Sequence, residues 1–384
     1  MRILQVTTMY YPELQFGGPP QKIHTFSQGL LAHGHEVRVI TLHSQRRQGC
    51  QSTQQDGVNV QYLPWVGQSR RQVPYRLKAL QAAVQWAEVV HIYGLYNLLG
   101  PAAAYLARQY KRPYVLEPLG MYLPRLRHQR WKRLYHRLFT RRMVQGARRV
   151  IATSAMEKEE LSGLVEAERL VVRVNRFDFE SYQRLPDSLA LRMRFQLAAT
   201  ERLVLFVGRI SPVKNLEALI QAFALADVSD AHLLLVGPQL EPDYVARLRS
   251  QIEQLQLAAR ITLAGPLYDA DKLAALATAD LFVLPSVSES FGNAAAEAVA
   301  AGVPVLLTKT CGIAALIDGR AGYAVEPTPE ALAEGLRFML DPVRRTRFIQ
   351  QRADVLAELA SDEPLQQTEQ IYAEIIQQFK SREE

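Results

Sequence analysis

Short apolar runs alternate with longer segments of helical period over nearly the whole chain. In the first part these runs predict strands at Ile3–Thr8, Glu36–Leu42, Val58–Pro64, Val89–Tyr93, Tyr114–Glu117, Val150–Thr153 and Val171–Asn175. Helical patterns fill most of the gaps, for example Gln21–His33, Pro101–Tyr110 and Ala155–Gly163. The theme then repeats in LVLFVG (203–208), HLLLVG (232–237), ITLAG (261–265), LFVLPS (281–286), VPVLLT (303–308) and YAVE (323–326). Such alternation implies a mostly parallel sheet covered by helices on both faces. Arg176–Arg202 interrupts the series with no apolar strand and an irregular start, so the domain boundary falls there. The pattern predicts an α/β chain of two doubly wound domains, 1–178 and 179–362, facing across a cleft. Ligand is then expected at the C-terminal ends of the strands. A last stripe over Leu365–Lys380 puts Ile371, Ile375 and Phe379 at helical spacing, widened by Tyr372 and Ile376. The segment 363–384 is expected to pack back on the N-terminal domain.

Length agrees with this picture, since 384 residues exceed one ordinary core and suit two. Charge adds to it. A net charge of +7 and a pI near 9.3 point to anionic partners such as a nucleotide, an acidic sugar or a lipid headgroup. Charge alone makes no case for nucleic acid, which is not expected. Cys50 and Cys311, far apart, argue against a disulfide framework and fit a reducing compartment. The chain opens on an apolar strand with no basic n-region and h-region, and no run of roughly 18 apolar residues appears. The expectation is a cytoplasmic protein that spans no membrane.

The richest stretch is Leu281–Thr308. Its strand breaks at Pro285 and Ser286 into a polar loop carrying Glu289, then Phe291 and Gly292. Asn293 reads as an N-cap of a short Ala-rich helix that Gly302 stops. A helix N-terminus at a strand end favours an anion through its unpaired N–H groups and its dipole. Glu289 and Glu297 flank that point. A carboxylate beside such amides repels phosphate and is better suited to accept hydrogen bonds from hydroxyls. Together these features point to a phosphorylated polyol, a nucleotide sugar, with one glutamate on the sugar and the other on the ribose. A second stretch, LVLFVGRISPVKN, ends a buried strand at Gly208 and places Arg209 and Lys214 in the loop before a helix. Two cations there suit a diphosphate leaving group, whose charge grows as the glycosyl–phosphate bond breaks. The plainer reading is a solvated loop with two ordinary basic residues. After the first strand, Gly17 and Gly18 make a glycine loop before a helix, a phosphate or sugar site in outline but neither a dinucleotide fingerprint nor a Walker loop.

GRISPVKN, ITLAGPLYDADKL and LPSVSESFGNAAAEAVAAGVPVL together closely resemble the retaining nucleotide-sugar glycosyltransferases of family 4, whose GT-B fold pairs two Rossmann-like domains. The resemblance is dense in the C-terminal domain and reaches the N-terminal one through the Gly-Gly loop and GHEVRVIT. Glu289 and Glu297 fit the family's E-x7-E motif. The resemblance implies that Arg209 and Lys214 hold the donor diphosphate and that Glu289 contacts the transferred sugar, with Phe291, Gly292 and Asn293 presenting backbone to it. It also implies that Glu297 binds the ribose hydroxyls and that the loop around Pro266 and Leu267 covers the base.

Two departures stand out. In EPLGMYLP, Leu119 occupies the place where many family members carry a histidine, so no imidazole role transfers. His91 is a substitute in principle and reads more simply as a core histidine. In VNRFD, Arg176 replaces the glycine of a frequent Asn-Gly pair, and the turn there is expected to differ. The most basic stretch, Arg125–Arg149, contains no acid and sets Trp131, Leu134, Tyr135, Leu138 and Phe139 on one helical stripe. Such a helix either lies on an anionic membrane surface or packs its stripe on its own domain. Asp269 and Asp271 form an Asp-x-Asp that reads as a helix first turn rather than a metal site, and no His/Cys cluster has ligand spacing.

The resulting expectation is a metal-independent, cofactor-free, retaining hexosyltransferase. It would act on a nucleotide-diphosphate sugar and a saccharide or lipid-linked acceptor in polysaccharide, glycolipid or glycoconjugate synthesis, at most peripheral to the inner membrane face. The alternatives of the same fold are a nucleotide-sugar epimerase, a phosphorylase-like enzyme, or a non-catalytic sugar-nucleotide-binding subunit, which Leu119 leaves open. A nicotinamide oxidoreductase lacks its G-x-G-x-x-G after the first strand.

Overall fold

The computed structural model describes residues 1–13, 18–45, 49–68, 71–122, 133–177, 179–182 and 184–381. The chain divides into two units, Met1–Arg176 with Asp362–Glu384, and Phe177–Ser361.

In the first unit the apolar runs become β1 (Arg2–Val6), β2 (Glu36–Leu42), β4 (Val58–Leu63), β7 (Val89–Tyr93), β8 (Tyr114–Glu117), β9 (Arg149–Ala152) and β10 (Leu170–Val172). All are parallel in one sheet of order β10-β9-β8-β7-β1-β2-β4-β3. The edge strand β3 (Gln51–Gln55) is antiparallel and entirely polar. A separate hairpin pairs β5 (Trp65–Gln68) with β6 (Arg71–Pro74). The helix Glu363–Lys380 belongs to this unit, and its apolar stripe explains why: Leu365, Ile371, Tyr372 and Ile375 share a core cluster with Ile3, Phe26, Val39 and Val115. Each such side chain, fully buried, contributes about 1.5–3 kcal/mol. Arg176, in place of the frequent glycine, reaches Asp362 Oδ1 at 3.1 Å and the Thr25 carbonyl at 3.3 Å, fastening the start of the terminal helix.

A charged network lies inside this unit. Glu117 at the end of β8 contacts both Lys22, on the helix Gly18–Ala32, and Arg173, just past β10. Burial alone would raise the Glu117 carboxyl, but the Arg173 and Lys22 cations outweigh it and hold it well below the usual carboxylate range. Burial pulls the Lys22 ammonium down to about 8, with Glu117 opposing. The Arg173 guanidinium also lies over the Phe26 ring, 4.0 Å from its centroid.

The second unit is a six-stranded, fully parallel sheet of order β13-β12-β11-β14-β15-β16. Its strands are β11 (Arg202–Val207), β12 (Ala231–Val236), β13 (Ile261–Gly265), β14 (Leu281–Leu284), β15 (Val305–Thr308) and β16 (Gly322–Val325). Every residue of β12, β14 and β15 is buried, as strands must be when helices cover both faces. Both sheets therefore have the doubly wound order, reversing between β1 and β7 in one and between β11 and β14 in the other. Among the described residues no helix is long and apolar enough to cross a membrane.

Candidate functional site

Where strand order reverses, the loops leaving the two neighbouring C-terminal strand ends diverge to opposite faces and open a crevice. In the second unit the loops at that point are those after β11 and β14, and they carry the two motif stretches.

After β11, Gly208 extends the ladder by donating its N–H to the Val236 carbonyl at 2.9 Å. The neighbouring strand end must come very close, since a Cβ on Gly237 would lie 1.8 Å from the Gly208 carbonyl oxygen. Arg209 follows directly, exposed, with no side-chain hydrogen bond or ion pair recorded among the described residues. Pro212–Lys214 forms one 3-10 turn, ended by Asn215 in the left-handed region and held by Asn215 Nδ2 donating to the Pro327 carbonyl at 3.1 Å. The Val287 N–H donates to the Val213 carbonyl at 3.0 Å and so ties this turn to the loop after β14. That tie brings Lys214 Nζ into contact with Glu289 Oε2, both side chains being mostly buried.

After β14 the chain runs through buried Ser286 to Glu289, Phe291 and Gly292. Phe291 turns its ring into the core, leaving its backbone for the site. The helix is Asn293–Ala300, and its cap differs from the expectation. Gly292, at φ 118°, occupies the cap position, and Asn293 is the first helical residue. The reason is local: the Gly292 carbonyl accepts from Ala295 and Ala296 N–H, and a Cβ on Gly292 would meet Ile313 Cγ2 at 2.9 Å. The segment after β15 also belongs to this site, although no local motif marks it. Glu289 N–H donates to the Thr310 carbonyl (3.1 Å), Gly312 N–H to the Glu289 carbonyl (2.9 Å) and Ile313 N–H to the Phe291 carbonyl (2.8 Å). These bonds fix the backbone on either side of Glu289. Cys311, inside this ladder, is buried, and burial pushes its thiol up to about 12, so it is no nucleophile.

Glu297 lies farther along the helix, and its Oε1 accepts from Lys272 Nζ at 3.1 Å. Lys272 sits in the helix Asp269–Thr278, next to the loop of Pro266 and Leu267. Pro266 is exposed, whereas the Leu267 side chain belongs to the core, so only its backbone can face a ligand. Asp269 and Asp271 lie in the first turn of the same helix, and Asp271 pairs with Arg194 at 2.8 Å. Among the described residues no group of three or more His, Cys, Asp or Glu converges as for a metal ion.

In the first unit Gly18 opens the helix Gly18–Ala32 after β1, whereas Gly17 lies outside the described residues. Leu119 takes a left-handed conformation at φ 59° just after β8. His91 is a core residue: its Nδ1 lies 2.6 Å from the Tyr372 hydroxyl, its Nε2 lies 3.4 Å from Glu117, and burial lowers its pKa to about 4 against the pull of Glu117. Of the basic stretch, residues 123–132, including Trp131, lie outside the described residues. The remainder splits the expected stripe. Tyr135 and Phe139 pack on the core of this unit, while Leu134 and Leu138 stay 45% and 46% exposed.

Residues 188–354 match the family model of glycosyl transferases group 1, and residues 17–177 match that of the glycosyl transferase 4-like domain. A D-inositol 3-phosphate glycosyltransferase of Kineococcus radiotolerans is 27% identical over 86% of this chain and 84% of that protein. A GDP-mannose-dependent alpha-(1-6)-phosphatidylinositol dimannoside mannosyltransferase of Mycobacterium tuberculosis is 26% identical over 92% of each chain. Sucrose-phosphate synthase from Thermosynechococcus elongatus is similar in structure with a TM-score of 0.77 at 20% identity, covering 97% of this chain and 98% of that one. Anabaena HepE in complex with UDP-glucose gives 0.76 at 20% identity, covering 100% and 99%. These likenesses establish the GT-B fold. With family models matching the chain on both sides of residue 177, it belongs to the group 1 glycosyltransferases.

Proposed function

We propose that this glycosyltransferase moves a hexose-type sugar from a nucleoside-diphosphate sugar to an acceptor hydroxyl with retention of anomeric configuration. The observation that carries this reading is the meeting of Lys214 with Glu289 at the reversal point of the second sheet, with Arg209 leading into the same loop. In this reading Arg209 and Lys214 stabilise charge on the diphosphate as the bond from the anomeric carbon to its oxygen breaks. Glu289 accepts hydrogen bonds from sugar hydroxyls, and Glu297 does so from the ribose. The acceptor oxygen attacks from the side the diphosphate leaves, and its proton passes to the departing phosphate oxygen. No side chain is assigned as a covalent nucleophile, and no metal ion is assigned to the site.

Two relatives support the donor class: HepE was crystallised with UDP-glucose, and the mycobacterial enzyme is named for GDP-mannose. The names of both enzyme relatives also carry inositol phosphate or phosphatidylinositol, which supports an anionic or lipid-linked acceptor. Exposed Leu134 and Leu138, set among exposed Arg137, Arg141 and Arg142, support contact with an anionic membrane surface.

Thermal shift with UDP-, GDP- and ADP-sugars tests the donor, since binding raises stability by mass action. One nucleotide series should stabilise the protein, and that donor should be turned over with a lipid-linked acceptor in the presence of EDTA. No shift with any series and no release of nucleoside diphosphate would overturn the reading. Donor consumption without any acceptor would favour an epimerase. Vesicles rich in anionic lipid should co-sediment the protein at low salt, and failure to do so would remove the membrane from the account.

A further inference from the structure

We propose that Lys272 is a positioning residue for Glu297 and thereby sets how strongly the chain prefers a ribonucleotide to its deoxy counterpart. This rests on the reading of Glu297 as the ribose-binding carboxylate. Lys272 and Glu297 are 25 residues apart on different helices, and both side chains are largely buried, at 26% and 17% exposure. Of the acids beside it in sequence, Asp271 of the same turn pairs with Arg194, and Asp269 is exposed.

The arrangement repeats the one around Glu289. Each of the two carboxylates holds one lysine, Lys214 on Glu289 and Lys272 on Glu297, which leaves Arg209 as the site cation without a recorded carboxylate partner among the described residues. With Lys272 bound to it, the Glu297 carboxylate is held in one orientation. The ammonium takes Oε1 only, and Oε2 has no hydrogen bond recorded among the described residues. An ionised carboxylate keeps about two acceptor sites on each oxygen. Oε2 can therefore accept from two vicinal hydroxyls at once while Oε1 holds the ammonium, and Lys272 fixes which oxygen is left for them.

The test uses the full chain, whichever of UDP, GDP and ADP gives the largest thermal shift, and the 2′,3′-dideoxy form of that nucleotide. Dissociation constants are measured by calorimetry for wild type, Lys272→Met, Lys272→Arg and Glu297→Ala. The expected result is a loss of about tenfold in ribonucleotide affinity for K272M, the scale of one charge-assisted hydrogen bond, with partial recovery in K272R. Binding of the dideoxy form should be the same in wild type and K272M. An equal loss for both nucleotides would make Lys272 a general electrostatic or structural residue, and no loss for either would remove it from the site; both overturn the proposal. The underlying reading fails separately, if wild type does not discriminate between the two nucleotides or if E297A discriminates as strongly as wild type. Should K272M not fold, Lys272→Leu carries the same comparison.

Discussion

Arg209 and Lys214 were paired by sequence, yet their surroundings separate them. Arg209 is exposed and has no recorded side-chain partner among the described residues, so Arg209→Ala should change stability by less than about 0.5 kcal/mol. Turnover should nevertheless fall by about 10²–10³-fold if it stabilises the leaving diphosphate. Parallel denaturation and steady-state assays check both halves, and a variant with normal turnover would remove Arg209 from the chemistry. Lys214 and Glu289 touch, so deleting either also strands a mostly buried charge. Lys214→Ala and Glu289→Ala should therefore lose stability as well as rate, and the double variant should lose less than the sum. Gly292 is constrained differently. Its φ of 118° and the 2.9 Å approach of Ile313 to a built Cβ mean that Gly292→Ala strains the turn and crowds the core. A cost of about 1–3 kcal/mol is expected for the conformation alone, read as a lowered denaturation midpoint.

At the scale of elements, the helix Glu363–Lys380 and β7 are joined by the His91–Tyr372 hydrogen bond, and this junction titrates. His91 faces Glu117, Lys22 and Arg173 as well as Tyr372, and burial lowers its pKa from 6.5 to about 4. A base whose folded pKa is depressed stabilises the fold above its unfolded pKa and loses that contribution as pH falls. From pH 7 to pH 5 the first unit should lose about 2 kcal/mol through His91. Glu117, also depressed, acts with the same sign at lower pH. Trp65, Trp86 and Trp131 all fall within residues 1–176, so tryptophan fluorescence in urea reads this unit selectively. His91→Gln should flatten the pH dependence, and an unchanged slope would assign it elsewhere. Much of this architecture could be read in advance because buried parallel strands are apolar on both faces, as LFVLPS and HLLLVG are. The edge strand β3 had no such signal, since QSTQQ pairs with β4 and its side chains stay polar. In the candidate site Glu289, Glu297, Arg209 and Lys214 could be named from local motifs. The Lys272–Glu297 contact and the Thr310–Ile313 ladder could not, because they join segments that only the assembled sheet brings together.

At the scale of the whole molecule, the path of the chain makes the two units unequal as folding units. The second, Phe177–Ser361, is one continuous stretch with a six-stranded sheet and its own core. The first is assembled from both ends of the chain, and its core includes Leu365, Ile371, Tyr372 and Ile375 from the terminal helix. A fragment of residues 177–361 should therefore fold cooperatively by itself and, if the donor reading holds, still bind the nucleoside diphosphate that the full chain prefers. A fragment of residues 1–176 lacks those four side chains. At about 1.5–3 kcal/mol for each, their loss is comparable to the whole stability of a typical domain. That fragment should be unfolded or aggregated, and adding residues 362–384 as a peptide in trans, or joining them by a flexible linker, should restore a cooperative transition. A well-folded 1–176 fragment would mean that the terminal helix covers the first unit without being needed by it.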